Sequence, residues 1–288
     1  MVFDPKTNKF PYTTDTASHY LKVKKNDGTV FNKDYPYIDN SKKFLRTQSF
    51  FRVIVKLIAF PLTRIRMNLK VEGKENLKKY KDVINNGIIS VCNHVHMWDY
   101  LTILAAIKKY RPHILAWGPN ISGENGFLIR MVGGVPIPTD DFIAMNACYS
   151  QIIEDIKKGG WFHLYPEGSM WEFYQPIRPF KMGAAYFSLK SGKPILPFAY
   201  SYRKNGFIRS KIFKSPASFT LHIGEPIYPD LNLPFKEAEE KLTKEIHDRV
   251  CTLAGIDPKE NIYEPIYNNS TRIDYYTTEY GVGYKGSW

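Results

Sequence analysis

Cysteine is scarce and poorly placed for chemistry. The chain has three in 288 residues, Cys92, Cys148 and Cys251, with no Cys-x-x-Cys pair. That spacing excludes a disulfide framework and a thiolate zinc site, and it is compatible with a reducing cytosol. Cys92 ends an apolar run and reads as a small core hydrophobe rather than a nucleophile. Long hydrophobic runs are also missing. Nowhere do ~18 uncharged apolar residues follow one another, so the sequence predicts no membrane-spanning helix. Residues 1–40 lack the apolar centre of a secretory leader. Acidic residues are sparse in one segment: Lys42 to Lys81 holds twelve lysines and arginines against Glu72 and Glu75, which accounts for most of the net charge of +12.

What is present supports a large core, with 43% hydrophobic and 15% aromatic residues. Residues 1–40 show no sustained period and read as an irregular N-terminal arm. Residues 41–67 form a basic amphipathic segment. Residues 68–256 alternate short apolar strands with helices, and residues 257–288 are a Tyr-rich C-terminal tail to which no structure is assigned. The alternation predicts an α/β fold, a mixed central sheet with helices on both sides, preceded by an N-terminal membrane-interface helical segment.

The basic segment carries the partner prediction. Ser49 is placed to cap a helix running toward Pro61. Arg52 and Lys56, four apart, share one face, and Phe51, Ile54, Leu57 and Ile58 occupy another. An apolar aromatic face flanked by cations suits a helix lying in the interface of an anionic membrane, each cation near the surface contributing about 1 kcal/mol. The competing reading is a core helix with solvated charges at its edge. Nucleic acid fits poorly, because its partners interleave aromatics with cations rather than segregating them. The resulting expectation is a peripheral, monotopic protein on the cytoplasmic face of a membrane.

The chemistry is concentrated in Asn93-His94-Val95-His96-Met97-Trp98-Asp99, at the end of the apolar run Gly87 to Cys92. A buried strand there delivers polar groups to a loop. Five residues separate His94 from Asp99, so a turn returns the carboxylate to the imidazole. A carboxylate on one ring nitrogen fixes the tautomer and leaves the other free to take a proton. The pair suits a base that deprotonates a hydroxyl without a Ser or Cys nucleophile. Downstream, Thr139 or Asp140 is placed to cap a helix through Ile156, and Pro234 to Leu253 reads as a helix closed by Gly255.

His94-x-x-x-x-Asp99 resembles the first signature of the glycerolipid acyltransferases, typified by 1-acylglycerol-3-phosphate acyltransferase. Phe162-His163-Leu164-Tyr165-Pro166-Glu167-Gly168-Ser169 resembles that family's Phe-Pro-Glu-Gly-Thr block. Lys193-Pro194-Ile195-Leu196-Pro197 resembles its Val-Pro-Ile-Val-Pro block, and Gly133-Gly134-Val135-Pro136-Ile137-Pro138 sits where it has Gly-x-x-x-x-x-Arg. The resemblance covers roughly residues 68 to 255. It implies transfer of a fatty acyl group from a thioester, acyl-CoA or acyl carrier protein, to the hydroxyl of a lipid acceptor such as lysophosphatidate, in phospholipid synthesis. His94 and Asp99 are then catalytic, His94 being preferred to His96 because it alone has the spacing to Asp99. Glu167, Gly168 and Ser169 are assigned to the acceptor, with backbone N–H groups near Gly168 as oxyanion donors. No metal or other cofactor is implied; the thioester is a co-substrate. Two departures stand out. The family's acceptor-binding arginine slots hold Asp140 and Met170 here, so Arg130, Arg178 or Lys181 is expected to replace them, Lys181 first. Two other classes compete: a metal-dependent hydrolase using His94, His96 and Asp99, and a non-catalytic membrane-binding protein on the same fold.

Overall fold

The computed structural model describes residues 27–171, 173–174, 176–213, 217–261, 264–268 and 273–277. The expected arm at residues 1–26 and most of the C-terminal tail lie outside these. Helix α1 (Lys42–Ile54) runs through a π-helical turn, Val55–Ala59, into α2 (Phe60–Met67). Strand β1 (Lys70–Glu72) and two short helices, α3 (Lys74–Lys79) and α4 (Lys81–Asn85), lead to β2 (Ile88–Val91) and α5 (Asp99–Ala106). Then come β3 (His113–Trp117), α6 (Gly118–Ser122), α7 (Gly126–Met131), β4 (Gly134–Ile137), α8 (Phe142–Lys157) and β5 (Trp161–Leu164). The chain continues through α9 (Gly183–Ser191), β6 (Ile195–Arg203), α10 (Phe207–Phe213), β7 (Ser218–Ile223) and α11 (Phe235–Ala254). Strands β8 (Glu264–Asn268) and β9 (Ile273–Thr277) pair antiparallel in the tail, where the sequence had suggested no element.

The central sheet has the order β1-β7-β6-β2-β5-β3-β4. Only the β6–β7 pairing in it is antiparallel, so the sheet is mixed as expected. Strand β2 lies between β5 and β6 and is buried along its whole length, which is why its sequence is apolar except for Ser90, whose hydroxyl finds partners in Trp161 and His163. Ile89 and Val91 face α8, α9 and α11 through Ile152, Ala185 and Ile246. Ile88 faces the other layer, where Met67, Ile84 and Ile103 pack. Gly87 precedes β2 with φ +100, and a Cβ there would stand 2.0 Å from the Ile156 carbonyl oxygen, so only glycine lets the strand enter this close to α8.

Two helix starts differ from the sequence expectation. Ser41, not Ser49, caps α1, its hydroxyl accepting the Phe44 N–H at 3.3 Å. Pro61 does not end the helix. It has no N–H for the Leu57 carbonyl, so the helix widens and Phe60 N–H reaches back five residues to Val55 before the α-helix resumes. At α8 the cap is Asp141, whose carboxylate accepts the Ile143 and Ala144 N–H groups at 2.8 and 3.1 Å, rather than Thr139 or Asp140. The described part of the arm is laid over the domain. Tyr37 is fully buried against the α8 layer, and Ile38 N–H donates to Gln151.

The basic segment is arranged the other way round from an amphipathic surface helix. Three of its four arginines turn toward the body: Arg52 donates to the Tyr110 carbonyl, Arg64 to that of Ala105, and Arg66 lies over the Trp98 ring. Phe51 is half-buried, edge-on to Phe127 of α7. Phe50, Val53, Ile54, Leu57, Ile58, Leu62 and Ile65 face outward, Leu57 being 72% exposed. Lys56 is exposed among them. No described helix is long and apolar enough to cross a membrane.

Candidate active site

Register brings the site together. Val91 of β2 stands beside Leu164 of β5, so the loops carrying His94 and Glu167 leave neighbouring strands at the same edge of the sheet. Beyond β2 the ladder to β6 is continued by a side chain. Asn93 accepts the Tyr200 N–H at 2.8 Å and donates to the Tyr200 carbonyl at 3.3 Å, imitating one more strand residue. From there the chain turns, and the Tyr200 hydroxyl holds the Asp99 carbonyl at 2.7 Å at the start of α5.

That turn places Asp99 Oδ2 2.7 Å from His94 Nδ1. The same oxygen accepts the Val95 and His96 N–H groups at 3.1 and 3.3 Å, while Oδ1 accepts the Tyr165 hydroxyl at 2.7 Å. Asp99 therefore caps its own loop rather than α5. Burial raises its carboxyl, but His94, the Tyr165 hydroxyl and the Val95 N–H outweigh burial and leave it below the usual carboxylate range. The carboxylate holds the proton on Nδ1 of the imidazole and leaves Nε2 as the acceptor. Asp99 is 1% exposed and His94 25%, so the base meets solvent while its partner does not. The His94 ring stacks on Tyr165 at 4.0 Å with an interplanar angle of 11°.

Glu167 organises the loops around this pair. Its Oε2 accepts the His94 N–H at 3.0 Å and a guanidinium N–H of Arg178 at 3.1 Å, and its Oε1 accepts the Arg178 N–H at 2.9 Å. Arg178 also donates to the Ser169 hydroxyl and carbonyl and lies 4.1 Å from the Trp171 ring. Both Glu167 and Arg178 are buried, so Arg178 is committed to the protein. Trp171 and Phe173 N–H groups donate to the carbonyls of His94 and Val95, which fastens the same loop from the far side.

The three cations suggested as replacements for the missing arginines part company here. Arg178 is buried on Glu167. Arg130 ties the arm down, donating to the carbonyls of Pro36, Tyr37 and Gly134. Lys181 remains exposed, and its ammonium lies 2.7 Å from where a Gly168 Cβ would stand. Gly168 has φ +85, so this turn needs glycine both for its backbone and for the lysine above it. The Gly168 N–H donates to the Tyr165 carbonyl at 3.0 Å, which commits that expected oxyanion donor. Asp140 follows β4, which is separated from β5 by β3, and Met170 lies in the loop between Ser169 and Trp171.

His96 meets the pair through its backbone N–H, and its ring has a different partner. Its Nδ1 accepts the Trp98 N–H at 3.1 Å, and burial lowers its pKa to about 4, so it stays neutral. Among the described residues, no group of three His, Cys, Asp or Glu is arranged to hold a metal ion. Cys92 is fully buried, and burial pushes its thiol well up. Sequence reasoning missed the hydroxyl of Tyr165. The usable signal was a polar atom inside a buried block, which must find a partner.

The sequence model of the Acyltransferase family matches residues 68–201. A chloroplastic 1-acyl-sn-glycerol-3-phosphate acyltransferase of Brassica napus is 28% identical over 127 residues, 44% of this chain and 35% of that protein. A 1-acyl-sn-glycerol-3-phosphate acyltransferase of Borreliella burgdorferi is 27% identical over 184 residues, 62% of this chain and 69% of that protein. The matched region thus spans about a third of the plant protein and about two thirds of the bacterial one. The crystal structure of the 1-acyl-sn-glycerophosphate acyltransferase PlsC from Thermotoga maritima superposes with TM-score 0.51 at 22% identity, over 76% of this chain and 84% of that chain. That likeness establishes the shared fold.

Proposed function

We propose that the chain, whose residues 68–201 match the Acyltransferase family model, is a glycerolipid acyltransferase that transfers an acyl group from a thioester to a lipid hydroxyl. The observation that carries this reading is the His94–Asp99 pair, with Asp99 saturated by hydrogen bonds and Nε2 left for substrate. His94 Nε2 takes the proton of the acceptor hydroxyl as its oxygen attacks the thioester carbonyl carbon. The tetrahedral adduct collapses, the C–S bond breaks, and the imidazolium returns the proton to the departing thiolate. The products are an ester and a free thiol, and no acyl-enzyme forms. Exposed Lys181 supplies positive charge for an anionic acceptor such as lysophosphatidate, or for the adduct's oxyanion. Coenzyme A and acyl carrier protein both suit the basic surface as thioester carriers.

The test is transfer from both thioesters to phosphorylated and unphosphorylated lipid alcohols in vesicles. Ester formation on lysophosphatidate supports the full reading. Ester formation confined to an unphosphorylated acceptor moves the acceptor and keeps the chemistry, and absence of thioester-dependent transfer overturns the reading. With the phosphorylated acceptor, Lys181→Ala raises KM by about tenfold or more, the worth of one charge-assisted hydrogen bond, and lowers kcat less. An unchanged KM removes Lys181 from the acceptor site.

The outward apolar side chains of the α1–α2 segment support a peripheral position on a membrane, with Phe50, Leu57 and Ile58 entering the interface. Lys56 faces the headgroups, and Arg52 holds the helix to the body. Leu57→Glu with Ile58→Glu removes most sedimentation with anionic vesicles and leaves the melting temperature within a few degrees. Sedimentation equal to wild type sinks the membrane reading.

A further inference from the structure

We propose that Tyr165 is a positioning residue for the His94–Asp99 pair, its hydroxyl holding the second carboxylate oxygen and its ring holding the plane of the imidazole. The inference deepens the acyl-transfer reading and rests on it for the word base. Tyr165 touches both partners: its hydroxyl donates to Asp99 Oδ1 at 2.7 Å, and its ring lies nearly parallel to that of His94 at 4.0 Å. The tyrosine is itself fixed. It follows β5 directly, precedes Pro166, which favours extended backbone, and meets the His163 ring edge-on at 4.7 Å. His163 is held in turn by Ser90, whose hydroxyl lies 2.8 Å from His163 Nδ1 and accepts the Trp161 indole N–H at 2.7 Å. A chain of buried contacts thus runs from the sheet core to the exposed base. Burial and the Asp99 charge raise the Tyr165 phenol well above its ordinary value, so the hydroxyl keeps its proton and remains a donor.

The electrostatic consequence has a definite sign. A carboxylate that shares its charge with a hydroxyl attracts the imidazolium less than one bonded to the histidine and backbone alone. Tyr165 therefore favours the neutral, proton-accepting imidazole while keeping Asp99 in the plane that fixes its tautomer. The titratable and charged groups around the pair come from several elements. The β2 loop gives Cys92 and His96, and α2 gives Arg66 beside His96. Strand β5 and its loop give His163 and Glu167, β6 gives Tyr200, and the segment before α9 gives Arg178 and Lys181. Glu167 reaches His94 through its backbone N–H, and Tyr200 reaches Asp99 through its backbone carbonyl. Tyr165 meets both side chains.

Tyr165→Phe keeps the ring and deletes the hydroxyl. The experiment is an NMR titration of protein with labelled histidine, the His94 signal being the one absent from His94→Gln. In Tyr165→Phe the midpoint of that signal moves to higher pH than in wild type. The acid limb of kcat/KM moves the same way, and kcat falls by about tenfold, one hydrogen bond to a charged group. A midpoint and profile equal to wild type overturn the proposal even if transfer is normal. A shifted midpoint in a protein that transfers no acyl group upholds the coupling and overturns the acyl-transfer reading instead. Tyr165→Leu, folded by circular dichroism, shows a further loss of kcat as the ring platform goes. A Leu variant as active as wild type also overturns the proposal.

Discussion

His94→Ala lowers thioester-dependent ester formation by roughly a thousandfold or more, within the range for losing a general base. Its melting temperature stays close to that of wild type. The reason is the division of labour in the loop. The imidazole is the partly exposed member of the pair, and the loop is held by groups that survive the substitution. Asp99 still accepts the Val95 and His96 N–H groups and the Tyr165 hydroxyl, and the His94 backbone N–H still donates to Glu167. Parallel measurements of turnover and thermal unfolding check it. Full activity would remove His94 from the chemistry, and a variant that unfolds would make it a structural residue. Asp99→Asn is a sharper probe, because its amide could hold a different tautomer while leaving the volume unchanged.

Arg178→Ala costs about 3–5 kcal/mol of stability, the range for removing one partner of a buried ion pair. The melting temperature falls by roughly 10 °C. The substitution leaves Glu167 buried without its guanidinium, strips the Ser169 hydroxyl and carbonyl of their donor, and opens a space against Trp171. The sequence reading placed Arg178 on the acceptor, and the two roles separate by experiment. An acceptor residue on the surface would change KM at unchanged stability. The buried residue seen here lowers stability first and turnover with it, since Glu167 also holds the His94 N–H. A melting curve matching wild type would refute the buried role.

Much of this protein was legible in its residues. The apolar run before Asn93, broken only by Ser90, marks a strand buried on both faces, and the five-residue spacing of His94 and Asp99 allows a turn to join them. Both follow from local geometry: one side-chain pattern per face of a sheet, and a loop too short to put the pair anywhere else. The alternation of strands and helices from residue 68 gave the mixed sheet and its two covering layers for the same reason. The start of α1 was misread because Ser41 and Ser49 are equally good caps in isolation, and only packing against the domain selects one. Pro61 misled because a proline's missing N–H can be absorbed by a π-turn when neighbouring contacts hold both halves of the helix.

The sequence by itself determined the reactive pair, the strand that presents it and the family it resembles, because each depends on residues close together in the chain. Tertiary structure decided what each cation does. Arg52, Arg130, Arg178 and Lys181 carry the same charge in sequence, yet three turn to carbonyls or a carboxylate of the protein and Lys181 stands exposed above Gly168. A long side chain can reach a partner on either side of its backbone, and which partner it finds depends on elements as far away as 94 residues. The role of Tyr165 was settled at the same level, since its ring and hydroxyl gain meaning when β2 and β5 come into register and set Asp99 and His94 against it.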